Sequence, residues 1–325
     1  MSVTESVEKN NLIFGPINSR RFGMSLGIDL SPFSKQCNFD CLYCELAPSA
    51  TVAQQSKSID VATIIAAVQE HLDDSIDVIT LTANGEPTLY PHLKQLITQL
   101  DTVKNSAQTL ILTNSATLTD TEVFDALLQL DQVKLSLDAI SEDIFKKIDR
   151  PHPSIKISQI TQALKKFAQE FQGKLFIEIL FVQGINNTPQ EIQKLNQFLV
   201  DIDVTRIDIG TIDRPPAYNV TPLDYEDLLH IAQQFDSRLP IHIASRKSGK
   251  TLTKNFTKEA IINTLDKRPL TQEDIELLFD KDSKKRLLEL IEDGSITQEQ
   301  RSNLHFYRPT KNIQRKRVKK ATQTE

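Results

Sequence analysis

Six short apolar runs, each followed by a longer amphipathic stretch, constrain this chain more than any other feature. Read as strands, the runs are 25–30, 77–82, 109–113, 133–137, 175–182 and 206–210, with a seventh candidate at 241–244. The stretches between them read as helices. They are 60–72 with Asp60 at the N-cap, 92–100, 119–128 opened by Thr119 and Glu122 as a capping box, 155–171, and 189–200 opened by Thr188 and Pro189. A strand returns parallel to its predecessor only through a crossover, and a helix is the usual one. The expected fold class is therefore α/β, a partial (β/α)6 barrel. Gly85, Gly184 and Gly210 fall at or just after strand C-termini, where such folds place their chemistry.

After about residue 245 the pattern changes. Residues 268–274 read as a helix start, 274–279 and 284–292 as helices, and His305-Phe306-Tyr307-Arg308-Pro309 as an apolar–aromatic strand after a turn at Gly294. The expected organisation is a barrel over 1–245, a small helical, winged-helix-like domain over 246–310 and a basic tail over 311–325. Winged-helix modules bind nucleic acid, and they also serve as protein-contact caps. The tail carries Lys311, Arg315, Lys316, Arg317, Lys319 and Lys320 against Glu325, so within a net charge of −5 it is +5 and residues 1–310 are −10. Such a tail either contacts phosphates or simply solubilises the terminus.

The 325 residues suffice for two domains, and 39% hydrophobic with 25% charged residues describes an ordinary globular chain. No run approaches the ~18 apolar residues of a membrane span, and the first residues form neither a signal core nor an Arg-rich transit peptide. A soluble, cytoplasmic protein without a membrane partner is expected. Residues 244–251 miss the phosphate-binding loop pattern because Ala244 replaces its first glycine; a basic linker is the better reading, although Lys250 and Thr251 would suit phosphate and Mg2+.

All three cysteines of the chain lie within eight residues, as Cys37-x3-Cys41-x2-Cys44, just after the first strand. An odd number so tightly spaced argues against a secreted disulfide scaffold. Three thiolates on one loop can converge on one centre, and soft thiolates select an iron–sulfur cluster. Three ligands for a four-iron cluster leave one iron open, the position where a substrate or cosubstrate binds. Structural zinc would need a fourth ligand, and the nearest histidine downstream is His71. Three buried structural cysteines would make the spacing a coincidence, and a redox pair at Cys41 and Cys44 leaves Cys37 unexplained.

The triplet, with Tyr43 before its last cysteine, resembles the signature of the radical S-adenosylmethionine (SAM) superfamily, and the resemblance places Tyr43 among the cofactor-binding residues. The resemblance implies a partial β/α barrel and a 4Fe–4S cluster whose open iron chelates SAM. It also implies reductive cleavage of SAM to a 5′-deoxyadenosyl radical, and an external flavodoxin- or ferredoxin-like electron donor. Asn84-Gly85-Glu86-Pro87 resembles the family's GGE motif, with Asn84 in place of its first glycine; it implies that Gly85 and Glu86 meet the SAM amino group. Glu86 read by itself is a helix-cap acid. Ser136 and Asp138, two residues apart on one strand face, and Asn114 at the end of the third strand take further SAM contacts by the same resemblance. An Asp at a strand end also caps the following helix. Gln183, Asn186, Asp213 and Arg214 end the fifth and sixth strands on that side and are expected to face substrate. No residue is identified as catalytic.

Residues 15–29 and 209–216, with Asp213-Arg214-Pro215-Pro216, resemble a branch related to wyosine-type tRNA synthases. Those enzymes carry a second cluster on additional cysteines, which this chain lacks. The expectation is a single-cluster relative whose substrate is unassigned. RNA, tRNA included, is a candidate partner through the C-terminal module and tail; a protein or a small molecule is the other possibility. The alternative from another class is a non-catalytic, nucleic-acid-binding iron–sulfur sensor.

Overall fold

The computed structural model describes residues 12–19, 21–243, 253, 255–267, 269–301 and 304–310. The near-miss phosphate loop at 244–251 and the basic tail at 311–325 lie outside the described residues.

Seven parallel strands follow one another in chain order across the main sheet. The sheet begins with β1 (Ile13–Ser19), which forms an antiparallel hairpin with β2 (Gly23–Asp29). The parallel series runs from β2 through β3 (Val78–Thr82), β4 (Gln108–Thr113), β5 (Gln132–Ser136), β6 (Lys174–Phe181) and β7 (Arg206–Thr211) to β8 (Ile241–Ile243). The seventh candidate strand therefore forms, pairing Ile207 with Ile241. The sheet remains open between β1 and β8, a partial barrel. β1 has no counterpart among the apolar runs because Gly15-Pro16 interrupts it; an edge strand accommodates the proline, and the register shifts between Phe14 and Ile17.

The crossovers carry α1 (Val61–His71), α2 (Leu93–Val103), α3 (Thr121–Leu127), α4 (Glu142–Ile148), α5 (Ile157–Glu170), α6 (Pro189–Leu199) and α7 (Tyr225–Ala232). Helix α5 shows why they dock: Ile157, Ile160, Leu164 and Phe167 recur at three- and four-residue spacing and are all buried. They pack in one core with Leu26, Ile79, Val133, Ile177 and Ile207, the alternate strand residues on the helix-facing side. Each such burial contributes about 1.5–3 kcal/mol. Asp60 caps α1 as expected, accepting from Thr63 N at 2.9 Å. Helix α3 is capped by Asp120, not Thr119, because residues Ala116–Thr119 form a 3-10 turn that consumes the threonine.

The opposite strand residues line the concave face. Lys134 is in register with Phe176, Ser136 with Glu178, Glu178 with Asp208, and Leu180 with Gly210. A Cβ placed on Gly210 would meet nothing within 4 Å, so the interior is open at that layer.

After residue 255 the order is α8 (Lys258–Lys267), β9 (Leu270–Thr271), α9 (Gln272–Leu278), α10 (Lys281–Glu292), β10 (Ile296–Arg301) and β11 (Leu304–Pro309). The three strands form a separate antiparallel sheet in the order β10-β11-β9. Thr271 and Asp274 close a capping box at the start of α9. Phe256, Ile261, Leu265, Phe279 and Leu287 form a second core, which takes in Met24 from β2. Helices α8 and α9 pack against β1, so this unit sits on the β1–β2 hairpin.

Candidate metal centre and cofactor pocket

The cysteine loop is held at the mouth of the barrel by main-chain bonds on three sides. On the β3 side, Gln36 N donates to Asn84 O at 3.0 Å, and Glu86 N donates to Gln36 O at 2.9 Å. On the α4 side, Leu42 N donates to Ile148 O at 2.8 Å, and Asp40 N to Asp149 O at 3.1 Å. On the third side, the segment after β7 crosses the loop, and Ala217 N donates to Cys44 O at 2.9 Å. Arg214 pairs there with Glu45, and the Tyr218 hydroxyl donates to Asp40 at 2.5 Å.

Burial pushes the Cys37 thiol up to about 12, raises Cys41 well above its ordinary value and raises Cys44. Three desolvated thiols become thiolates when a metal centre takes them. Three thiolates fit a four-iron cluster, whose irons each take one around a larger centre with one iron left open, whereas structural zinc wants four ligands. Cys37, Cys41 and Cys44 are the residues that would hold it.

Four of the six cofactor-binding candidates line one small pocket beside this loop: Tyr43, Asn114, Ser136 and Asp138, with Phe39, Phe145 and Asp149. Asn114 reaches toward the cysteines, its Nδ2 lying 2.6 Å from Asn38 Oδ1 and 3.8 Å from Cys37 Sγ. The Ser136 hydroxyl makes no hydrogen bond to a described residue and is available to a ligand. Asp138 is buried, accepting from Tyr43 OH at 2.5 Å and from Leu180 N at 2.7 Å. It caps no helix. Burial pushes its carboxyl up to about 6, against those hydrogen bonds. Tyr43 thereby ties the cysteine loop to the end of β5.

Gly85 and Glu86 also seat the turn after β3 against the cysteine loop. Gly85 has φ +132°, and a Cβ there would lie 2.0 Å from Gln36 O, so its missing side chain admits the cysteine loop. Glu86 is 2% exposed and caps the turn Pro87–Leu89. Its Oε1 accepts from Thr88 N at 3.0 Å, and from Thr88 Oγ1 and Thr113 Oγ1 at 2.6 Å each. Its Oε2 accepts from Asn114 N at 2.8 Å, which leaves room for one further donor. Burial nevertheless raises its pKa, with those four bonds opposing.

The four residues expected to face substrate do not act as a set. Asn186 is fully buried and braces the β6 loop, donating to Asp138 O at 2.9 Å and Leu180 O at 2.8 Å. Arg214 turns outward to Glu45, and Gln183 donates its main-chain N–H to Thr221 O at 3.1 Å. Asp213 lies close enough to Arg21 to help raise its pKa.

Sequence reasoning missed Arg21, Lys134, Glu178 and Asp208, which form a charged layer inside the barrel. Arg21 enters from the β1–β2 turn and lies 2.6 Å from Glu178 and 3.3 Å from Asp208. Lys134 pairs with the same Glu178 oxygen, and Arg206 and His242 meet Asp208 at 2.8 and 3.1 Å. Alternation along β5 to β7 carries the signal: each of these strands places a charge where an apolar residue is expected.

With this geometry in view, comparison with known proteins is direct. Residues 31–199 match the model of the Radical SAM superfamily. A UPF0026 protein of Helicobacter pylori (strain 26695) is 37% identical over 306 residues, covering 92% of this chain and 98% of its own. A UPF0026 protein of Methanocaldococcus jannaschii is 27% identical over 83% of this chain and 86% of its own. Among solved structures, Streptococcus suis SuiB bound to the precursor peptide SuiA superposes with TM-score 0.55 at 17% identity, over 74% of this chain and 51% of that one. TYW1 with a lysine–pyruvate adduct bound gives 0.51 at 19%, over 71% and 78%. These structures share the fold. The chain belongs to the radical SAM superfamily and, within it, to the UPF0026 family. It is a radical SAM enzyme whose cofactors are a 4Fe–4S cluster and SAM. Among the described residues no helix is long and apolar enough to cross a membrane.

Proposed function

We propose that this enzyme directs its radical at an RNA substrate, in the cytoplasm. When bound, cluster and SAM together supply the 5′-deoxyadenosyl radical; the chain's residues seat them and exclude water. The observation that carries RNA as substrate is the order helix–strand–helix–helix–strand–strand in the C-terminal unit, that of a winged helix. Its third helix, α10, presents Lys281, Lys285 and a 60% exposed Leu288 to solvent. The unit is seated on the β1–β2 hairpin, whose turn sends Arg21 into the barrel, so an RNA on α10 would be held by the element that also lines the interior. The basic tail adds a second cationic segment.

A cluster-bearing sensor without catalysis would need no open interior. The bare Gly210 layer and the free Ser136 hydroxyl favour catalysis.

Fluorescence anisotropy with labelled tRNA tests the reading. Charge reversal at Lys281 and Lys285 is expected to weaken binding at least about tenfold, and removing 311–325 to flatten the salt dependence. Binding indifferent to both changes would assign the unit to another partner. Comparing modified nucleosides in tRNA from a deletion strain and its parent then identifies the product.

A further inference from the structure

Within the charged layer of the barrel, one carboxylate oxygen takes no hydrogen bond from a described residue. Lys134 and Arg21 both bind Oε1 of Glu178, Arg21 at 2.6 Å, and Oε2 accepts from neither. Asp208, its register neighbour on β7, is different. Arg206 and His242 meet its Oδ1 at 2.8 and 3.1 Å, and Arg206 and Arg21 meet its Oδ2 at 3.2 and 3.3 Å. The Asp208 side chain is 1% exposed and that of Glu178 is 32% exposed. Asp208 is closed into the fold, whereas Glu178 keeps an acceptor that a ligand can reach.

That acceptor sits beside the cofactor pocket. Glu178 is in register with Ser136, which lines the pocket, and neighbouring strands lie about 4.8 Å apart. Burial first, and the Glu178 charge after it, raise the carboxyl of Asp138 in the same pocket. One layer nearer the strand ends, Gly210 leaves the interior open. Burial opposes ionisation of Glu178, yet Lys134 and Arg21 hold its carboxyl at about 2. It therefore accepts hydrogen bonds and donates none.

We propose that Glu178 selects the RNA base that enters the barrel, its Oε2 accepting a hydrogen bond from an exocyclic amino group of that base. The proposal rests on RNA as the substrate. Adenine, guanine and cytosine carry such a group; uracil and hypoxanthine, the base of inosine, carry none. A base reaches the interior only when splayed out of its stack, which exposes its pairing edge to protein groups. A base without the amino group leaves the Glu178 oxygen desolvated and unpaired, or sets a carbonyl oxygen against it. Either outcome rejects that base. Glu178 takes part in no bond-making step; it fixes which base, and which edge of it, lies beside the cofactor.

The test titrates the reconstituted enzyme, with SAM, against labelled single-stranded oligoribonucleotides that differ in one base. The pairs are cytosine against uracil, adenine against hypoxanthine, and guanine against hypoxanthine. Phosphate contacts are common to both members of a pair and cancel in the affinity ratio. At least one amino-bearing base is expected to bind about tenfold or more tighter than its counterpart. Glu178→Gln is expected to bring that ratio near one, because a carboxamide both accepts and donates. The same loss is expected for the double variant Lys134→Met, Glu178→Gln, which also removes the buried amine left unpaired by the single change. Wild-type ratios near one in all three pairs, or a ratio that survives both variants, would overturn the proposal. Failure of every oligonucleotide and of tRNA to bind the wild type would instead overturn RNA as the substrate, a separate outcome from the ratios.

Discussion

The carbonyl of Gln36 occupies the space that a side chain on Gly85 would need, 2.0 Å from the missing Cβ. The two residues form a parallel bridge that seats the cysteine loop against the turn after β3. Gly85→Ala is therefore expected to displace the loop. Backbone strain at φ +132° alone costs about 1–3 kcal/mol, and the clash with a main-chain oxygen adds to it. A fall in Tm and fewer than four irons per chain after reconstitution are the expected results; wild-type values for both would refute this role.

Removing the Tyr43 hydroxyl leaves Asp138 buried with one donor fewer. Tyr43→Phe is expected to cost about 1–3 kcal/mol and to loosen the cysteine loop from β5. Denaturant unfolding measures the first effect. Faster loss of the cluster's visible absorbance under chelator measures the second.

How much of this was legible in the sequence follows from which residues act locally. The strand and helix periodicities, the Asp60 and Thr188 caps and a helix start within 268–274 are set by neighbours within a few positions, and the structure contains them. The cysteine triplet is likewise local, and the pocket gathers Tyr43 of that loop with Asn114, Ser136 and Asp138 from the strand ends. What stayed hidden depends on chain pairings distant in sequence. Gly85 answers to Gln36, Arg214 to Glu45 and Tyr218 to Asp40, and no spacing rule couples residues so far apart. Thr119 looks like a cap until the preceding turn claims it, which only the fold decides.

That local difference can be measured. Asp120→Ala is expected to destabilise by about 1 kcal/mol through loss of the α3 cap, and Thr119→Ala by less. Equal losses in Tm would contradict the assignment of the cap.

Glu178 gives the protein a dependence on pH. Burial opposes its ionisation, but Lys134 and Arg21 outweigh that and hold its carboxyl at about 2, below the ordinary 4.5. A depressed folded value means that the stabilisation is present above the ordinary value and is lost as pH falls through about 2. Glu178→Gln leaves Lys134 and Arg21 without their shared partner, and breaking such a pair costs about 3–5 kcal/mol when fully buried, less here because the glutamate is partly exposed. The stability gap between wild type and variant is expected to be widest at neutral pH and to close as the pH drops from 4.5 toward 2. Urea unfolding across that range reads it; a gap independent of pH would show that Glu178 acts through packing alone.

The central claim is that Cys37, Cys41 and Cys44 hold an open-site cluster that turns SAM over. Its most direct test is anaerobic reconstitution with iron and sulfide, followed by assay of 5′-deoxyadenosine from SAM and dithionite, for wild type beside Cys41→Ser. The account predicts one 4Fe–4S cluster per chain and 5′-deoxyadenosine from wild type, and no product from the variant. A wild-type protein that holds zinc and no cluster, or an intact cluster that leaves SAM uncleaved, would contradict it.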